Sequence, residues 1–185
     1  MPRAGLSPAA VVAVAGELVD EDGPHALTLA AVARRCGVAL PSLYKHVAGL
    51  DDLHARLAAA VARELADVLG RAVGGRAGRD ALAAMAHAYR ALARAHPGRY
   101  HYLVLARPDD PAYTEAAGEA LEAIAAVFRG YDLAEADVVD AARVLRASLH
   151  GFVTLESAHG FGLPEDVDHS FERLVDSLDV ALRNW

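Results

Sequence analysis

Apolar residues in this chain recur every three or four positions, and nowhere do they alternate with polar ones for long. Runs of Val, Ile and Thr, which suit pleated strands, are absent. Val11, Val14, Ala15 and Leu18 share one face at helical spacing. Leu53, Leu57, Val61, Leu65 and Val68 do the same further on. Hydrophobic residues make up 54% of the 185, and many are alanine, which favours helix. That composition supports a sizeable core and argues against disorder. The expectation is an all-α fold of about nine helices.

The stretch Thr28 to Gly49 reads as two short helices joined by a tight turn. Thr28 is placed to cap the first, and Leu29, Val32 and Ala33 follow at helical spacing. Gly37 ends it where a left-handed backbone is wanted. Val38 and Leu43 supply contacts between the helices. Leu40, Pro41, Ser42, Tyr44, Lys45 and His46 are left facing outward. Pro41 suits the first turn of a helix, where its missing N–H is harmless. This is a helix-turn-helix, whose second helix suits a DNA major groove. The whole chain carries net charge -7, yet this stretch holds Arg34, Arg35 and Lys45 and no acid. Lys45 is the only lysine. A basic island in an acidic chain suits phosphate binding. The plainer alternative is an ordinary helical hairpin in an all-α core.

Leu27 to Leu53, LTLAAVARRCGVALPSLYKHVAGLDDL, resembles the N-terminal DNA-binding domain of the TetR family of bacterial repressors. Leu43, Tyr44 and His46, then a short loop and a new helix, are the most telling part. The resemblance implies that Leu40, Pro41, Ser42, Tyr44 and His46 face DNA and that Thr28 touches a phosphate. Arg34, Arg35 and Lys45 add electrostatic attraction. Family members usually carry a lysine where this chain has Leu50, so one phosphate contact is absent unless Lys45 compensates.

Ser7 and Pro8 start the first helix, and Asp22-Gly23-Pro24 closes it, completing a three-helix domain over residues 1–50. Residues 51–185 then form a helical effector-binding and dimerisation domain, opened by a linking helix over 51–70. Asp51 and Asp52 suit the start of that helix. Gly70 to Gly78, GRAVGGRAG, is the clearest break in composition. Asp80 to His96 is the next helix, with Leu82, Met85, Tyr89 and Leu92 inward. Tyr100, Tyr102, Leu103 and Leu105 crowd a short segment ending at Pro108. Ala117, Leu121, Ile124 and Phe128 form the stripe of a further helix. Ala134 to His159 reads as one long helix with Val138, Ala142, Leu145, Leu149, Phe152 and Val153 on one face. Phe171, Leu174, Val175, Leu178 and Leu182 mark the last. Pairing the final two helices between two copies gives a four-helix bundle about a two-fold axis, with Leu145, Val153, Phe171, Leu174, Val175 and Leu178 at the interface. The alternative is that both stripes close the core of one chain.

Leu145 to Leu182 also resembles the C-terminal effector domain of the WHG type within the same family, on His150-Gly151 and the later GFGLP. The tryptophan of that name is not there, since the only one is Trp185. Met85, Tyr89, Tyr100, Tyr102, Tyr113, Phe128 and Phe152 are suited to lining an apolar cavity with polar handles, and equally to filling a core. The resemblance implies a cavity between the middle helices and the long one. Tyr89, His150 and Glu156 then orient a ligand, with Met85, Tyr102, Phe128, Leu149 and Phe152 around it.

Catalysis is not expected. The nine histidines show no metal-ligand spacing, and one cysteine excludes a thiolate zinc site. Ser148 lacks a nucleophile elbow, and GRAVGGRAG lacks the Lys-Ser/Thr ending of a phosphate loop. No cofactor and no metal is implied. Cys36 suits a small apolar role better than a redox switch. One cysteine fits a reducing cytoplasm, and the N-terminal apolar run meets Glu17, Asp20, Glu21 and Asp22 too soon for a signal peptide. No run is long enough to span a membrane. The expected protein is a cytoplasmic, ligand-responsive regulator, most simply a homodimeric repressor released from a palindromic duplex DNA operator by a small-molecule effector. The alternative is a helical small-molecule-binding or interaction protein without DNA regulation.

Overall fold

A computed structural model describes residues 6–104, 107 and 109–185. Leu105 and Pro108 of the crowded segment lie outside the described residues. Nine α-helices and no strands are present among the described residues. They are α1 (Pro8–Asp22), α2 (Leu29–Cys36), α3 (Leu40–Leu43), α4 (Leu50–Val73), α5 (Gly78–Ala95), α6 (Pro97–Tyr100), α7 (Pro111–Phe128), α8 (Val138–Ser157) and α9 (Val167–Arg183). None of the described helices is long and apolar enough to cross a membrane.

The chain divides into two compact units. The first gathers the described residues of 1–63 and 96–116, and the second 64–95 and 117–185. The division passes through α4, which is continuous. That helix runs past Gly70 to Val73, because Leu69 and Val73 are both buried and hold its last turns. The long C-terminal helix is shorter than its periodicity suggests. Glu135–Asp137 is a 3-10 turn and α8 proper begins at Val138.

In the first unit, α1 starts as its sequence dictates. Ser7 Oγ accepts from the Ala10 N–H at 3.1 Å, and Pro8 takes the first helical position. Val11, Ala15, Leu18 and Val19 are buried, together with Val32 and Ala33 of α2 and Leu43 of α3. Leu53 and Leu57 of α4 add to this core. Helix α6 lies against α1. In the second unit, α5, α8 and α9 pack on one another, with Leu82, Met85, Leu145, Val153 and Phe171 at 0–2% exposure.

This burial corrects the expected dimer surface. Leu145, Val153, Phe171, Val175 and Leu178 are buried within the single chain, and only Leu174 of that set keeps partial exposure. The inward stripes of α8 and α9 pack on each other and on α5, which leaves little of their apolar area for a second copy. The outward side of α8 instead shows Val144 and Leu155, and that of α9 shows Val180.

Candidate nucleic-acid interface and effector region

The α2–α3 hairpin is set by local chemistry. Thr28 Oγ1 accepts from the Ala31 N–H at 3.1 Å. Gly37 takes φ 68°, and its N–H bonds to the Arg34 carbonyl while the Val38 N–H reaches Ala33. That is the Schellman arrangement, which turns the chain sharply and needs the left-handed backbone. Helix α3 is only four residues long, with Pro41 in its first turn. The chain then continues as a turn in which the His46 and Val47 N–H groups both bond to the Leu43 carbonyl. Leu43 and Val47 are 0% and 2% exposed and pin this turn from below. Asp52 Oδ2 accepts from the Ala48 N–H at 2.8 Å and fixes the entry to α4.

The pinned turn presents its other side. Tyr44 is 54% exposed and Leu40 38%; Pro41 and Lys45 are exposed, and Ser42 and His46 half-buried. Arg34 and Lys45 form no ion pair among the described residues. Arg35 is different. Its guanidinium forks onto Glu21 of α1, with Nη1 at 2.6 Å from Oε2, and Glu17 stands 3.9 Å from its Nε. The same bond pulls the Glu21 carboxyl below its ordinary range. The hairpin is free of acids in sequence but not in space, so Arg34 and Lys45 are its available cations and Arg35 is largely neutralised. Cys36 is half-buried, and burial raises its thiol pKa, which leaves little reactive thiolate at neutral pH.

The expected effector residues fall into both units. Tyr102 belongs to the first, where it is buried and lies 2.9 Å from His54 Nδ1 of α4, with the two rings stacked at 5.7 Å. The others lie in the second. Met85, Tyr89, Phe128 and Leu149 are buried. His150 is half-buried, and desolvation with the Arg146 charge pushes its pKa down. Phe152 makes ring contacts with Phe161 and Phe171. Glu156 is already engaged. Both of its oxygens accept from Arg90, with Nε at 2.8 Å.

Arg90 is the residue that sequence reasoning missed. It is 6% exposed, bonds Asp168 at 2.7 Å as well as Glu156, and lies over the Phe171 ring at 4.6 Å. One guanidinium thereby ties α5 to α8 and to the first turn of α9. Its position one residue after the inward Tyr89 was the only local signal. A second buried polar pair joins Tyr131 to Asp179 at 2.7 Å, with Arg183 on the same carboxylate at 2.9 Å. No cluster able to hold a metal ion occurs among the described residues.

Three N-terminal helices, the third followed by an exposed, cation-bearing turn over a buried anchor, define a helix-turn-helix DNA-binding protein. The family profile "Bacterial regulatory proteins, tetR family" matches residues 11–53, and "Tetracyclin repressor-like, C-terminal domain" matches 82–178. An uncharacterised HTH-type transcriptional regulator of Mycobacterium tuberculosis is 38% identical over 167 residues, covering 89% of this chain and 75% of the relative. One from Bacillus subtilis is 32% identical over 187 residues, covering 100% and 93%. A solved protein of unknown function from Rhodococcus sp. RHA1 superposes with a TM-score of 0.82 at 25% identity, covering 99% of both chains. A TetR variant from Acinetobacter baumannii in complex with minocycline gives 0.71 at 26%, covering 97% of this chain and 98% of that one. The chain belongs to the TetR family of transcriptional regulators.

Proposed function

We propose that this regulator is a homodimeric repressor that binds a two-fold symmetric operator through its two α2–α3 hairpins and leaves it when a small-molecule effector binds. The observation that carries the reading is the α3 turn. Leu43 and Val47 fix it from inside while Pro41, Tyr44 and Lys45 stand outside, and Arg34 is exposed on α2. A buried anchor under an exposed polar and cationic surface is a rigid probe for a groove. Residues 1–50 serve DNA binding and 51–185 serve effector binding and dimerisation. Binding of minocycline by the A. baumannii protein supports effector control in a similar chain. The protein acts on DNA in the cytoplasm and performs no catalysis.

The outward faces of α8 and α9 supply the dimer contact. Val144 and Leu155 lie eleven positions apart, three helical turns on one face, and are 42% and 50% exposed; Val180 of α9 is 59% exposed. Two recognition elements held by such a bundle can meet successive major grooves, about 34–36 Å apart. An effector that favours a different spacing lowers operator affinity.

The test is selection from a random duplex pool with the purified protein. A recovered two-fold symmetric site supports the reading. Absence of any enriched sequence at low salt, where the phosphate contribution is largest, overturns it.

A further inference from the structure

Arg107 lies in the first unit, five residues after Tyr102. Its Nε is shielded from solvent and has no hydrogen-bond partner. No carboxylate among the described residues pairs with its guanidinium. A guanidinium keeps its charge at any physiological pH; Arg107 is half-buried, and a partly shielded charge without a counter-ion is unfavourable. Its charge acts on His54 and Tyr102, and the Asp51 carboxylate acts on His54 as well. His54 Nδ1 and Tyr102 Oη are 2.9 Å apart. Burial and the Arg107 charge both push the His54 pKa down, against an opposing pull from Asp51. Burial pushes the Tyr102 phenol up, against a smaller downward pull from the Arg107 charge. At neutral pH the three side chains therefore carry a single positive charge. When His54 holds its hydrogen on Nδ1 and donates to Tyr102, the phenol hydrogen is free to donate elsewhere.

We propose that Arg107, Tyr102 and His54 form a subsite for the carboxylate of a small acidic ligand. This rests on the effector-controlled reading above and names the chemical class of that effector. One planar guanidinium matches one planar carboxylate, and the charges cancel. A phosphate dianion leaves one negative charge uncompensated here. The carboxylate selects the Nδ1–H tautomer of His54, because that tautomer turns the Tyr102 hydroxyl into a donor toward it.

The test uses the full chain and three probes, acetate, benzoate and octanoate, with benzamide, inorganic phosphate and sodium chloride at matched ionic strength as controls. Thermal melting and the ring nitrogen signals of His54 report binding. At least one carboxylate raises the melting temperature and shifts the His54 signals; benzamide, phosphate and chloride do not. Arg107→Gln weakens that carboxylate about tenfold or more, and Tyr102→Phe by a smaller factor. Arg107→Lys, which keeps the charge and loses the fork, falls between parent and Arg107→Gln, and serves if Arg107→Gln does not fold. Equal stabilisation of parent and Arg107 variants, a benzamide effect equal to that of benzoate, or no response to any carboxylate overturns the proposal. A stronger response to phosphate overturns the carboxylate assignment. Release of duplex DNA is measured separately. Arg107-dependent binding that leaves DNA affinity unchanged supports the subsite and counts against effector control. DNA release by a neutral ligand indifferent to Arg107 does the reverse.

Discussion

Gly98 meets Val19 so closely that a Cβ built on it would lie 1.8 Å from the Val19 carbonyl oxygen. The contact seats α6 directly on the backbone of α1. Asp20, the next residue, completes it. Its Oδ1 accepts from the Arg99 N–H at 2.8 Å and its Oδ2 from Arg99 Nε at 2.6 Å. Helix α1, which packs on α2, is thus held to the turn that leads to Tyr102. Gly98→Ala forces the two backbones apart and is expected to destabilise the protein by about 1–3 kcal/mol, the usual range for overpacking. Thermal or denaturant unfolding of the variant measures it. An unchanged midpoint would show that α6 can move off α1 without penalty.

Lys45→Ala is expected to weaken binding to every duplex and to flatten the salt dependence by about one unit, as loss of one phosphate contact does. Arg35→Ala should leave the slope nearly unchanged, because Glu21 already holds that charge. Affinity titrations at several salt concentrations separate the two. Equal slope changes for both variants would mean that Arg35 leaves Glu21 on DNA.

Arg90→Met removes the counter-charge of Glu156, whose side chain is only 17% exposed. Breaking such a pair on one side is expected to destabilise by about 3–5 kcal/mol. Asp168→Asn should change stability far less, since Asp168 is 73% exposed. Chemical denaturation of both variants is the check.

The same pair predicts a pH dependence. Arg90 holds the Glu156 carboxyl below its ordinary value of 4.5. Glu156 is therefore ionised at a lower pH in the folded chain than in the unfolded one. Its contribution is complete above about pH 4.5 and is lost as pH falls through the lowered folded value. Glu156→Gln should flatten the acid side of the stability curve while lowering stability at neutral pH. An acid limb of equal steepness in variant and parent would assign the acid sensitivity to other carboxylates.

Leu155→Glu combined with Val180→Glu is expected to give a folded monomer by sedimentation equilibrium, because both side chains are exposed in the single chain. Phe171→Ala acts inside the protomer and should reduce stability by about 3–5 kcal/mol. Dimers that survive the double substitution would place the interface elsewhere.

What the sequence made legible follows from the range of the interactions. The Ser7 and Thr28 caps, the left-handed Gly37 and the helical stripes are decided within a few residues, and the chain displays them directly. The fork of Arg35 onto Glu21 spans 14 positions, and those of Arg90 onto Glu156 and Asp168 span 66 and 78. No local pattern announces such pairs, so Arg35 read as an available cation and Glu156 as an available acceptor. Periodicity also finds an apolar stripe without saying what covers it. Phe171 and Val175 marked their helix correctly, but α5 and α8 cover that face before a second copy can. His54, a single histidine on a helix of ordinary spacing, carries no signal in the sequence until Tyr102 is folded beside it.

Lys45, exposed on the α3 turn, has one more consequence. It is the sole lysine, so the chain offers a lysine-specific protease a single scissile bond, the one joining Lys45 to His46. That bond lies on the surface proposed to meet DNA. Cleavage there is a ready-made footprint: operator occupancy slows one cut, and the ratio of intact chain to two fragments on a gel reads the fraction of protein bound.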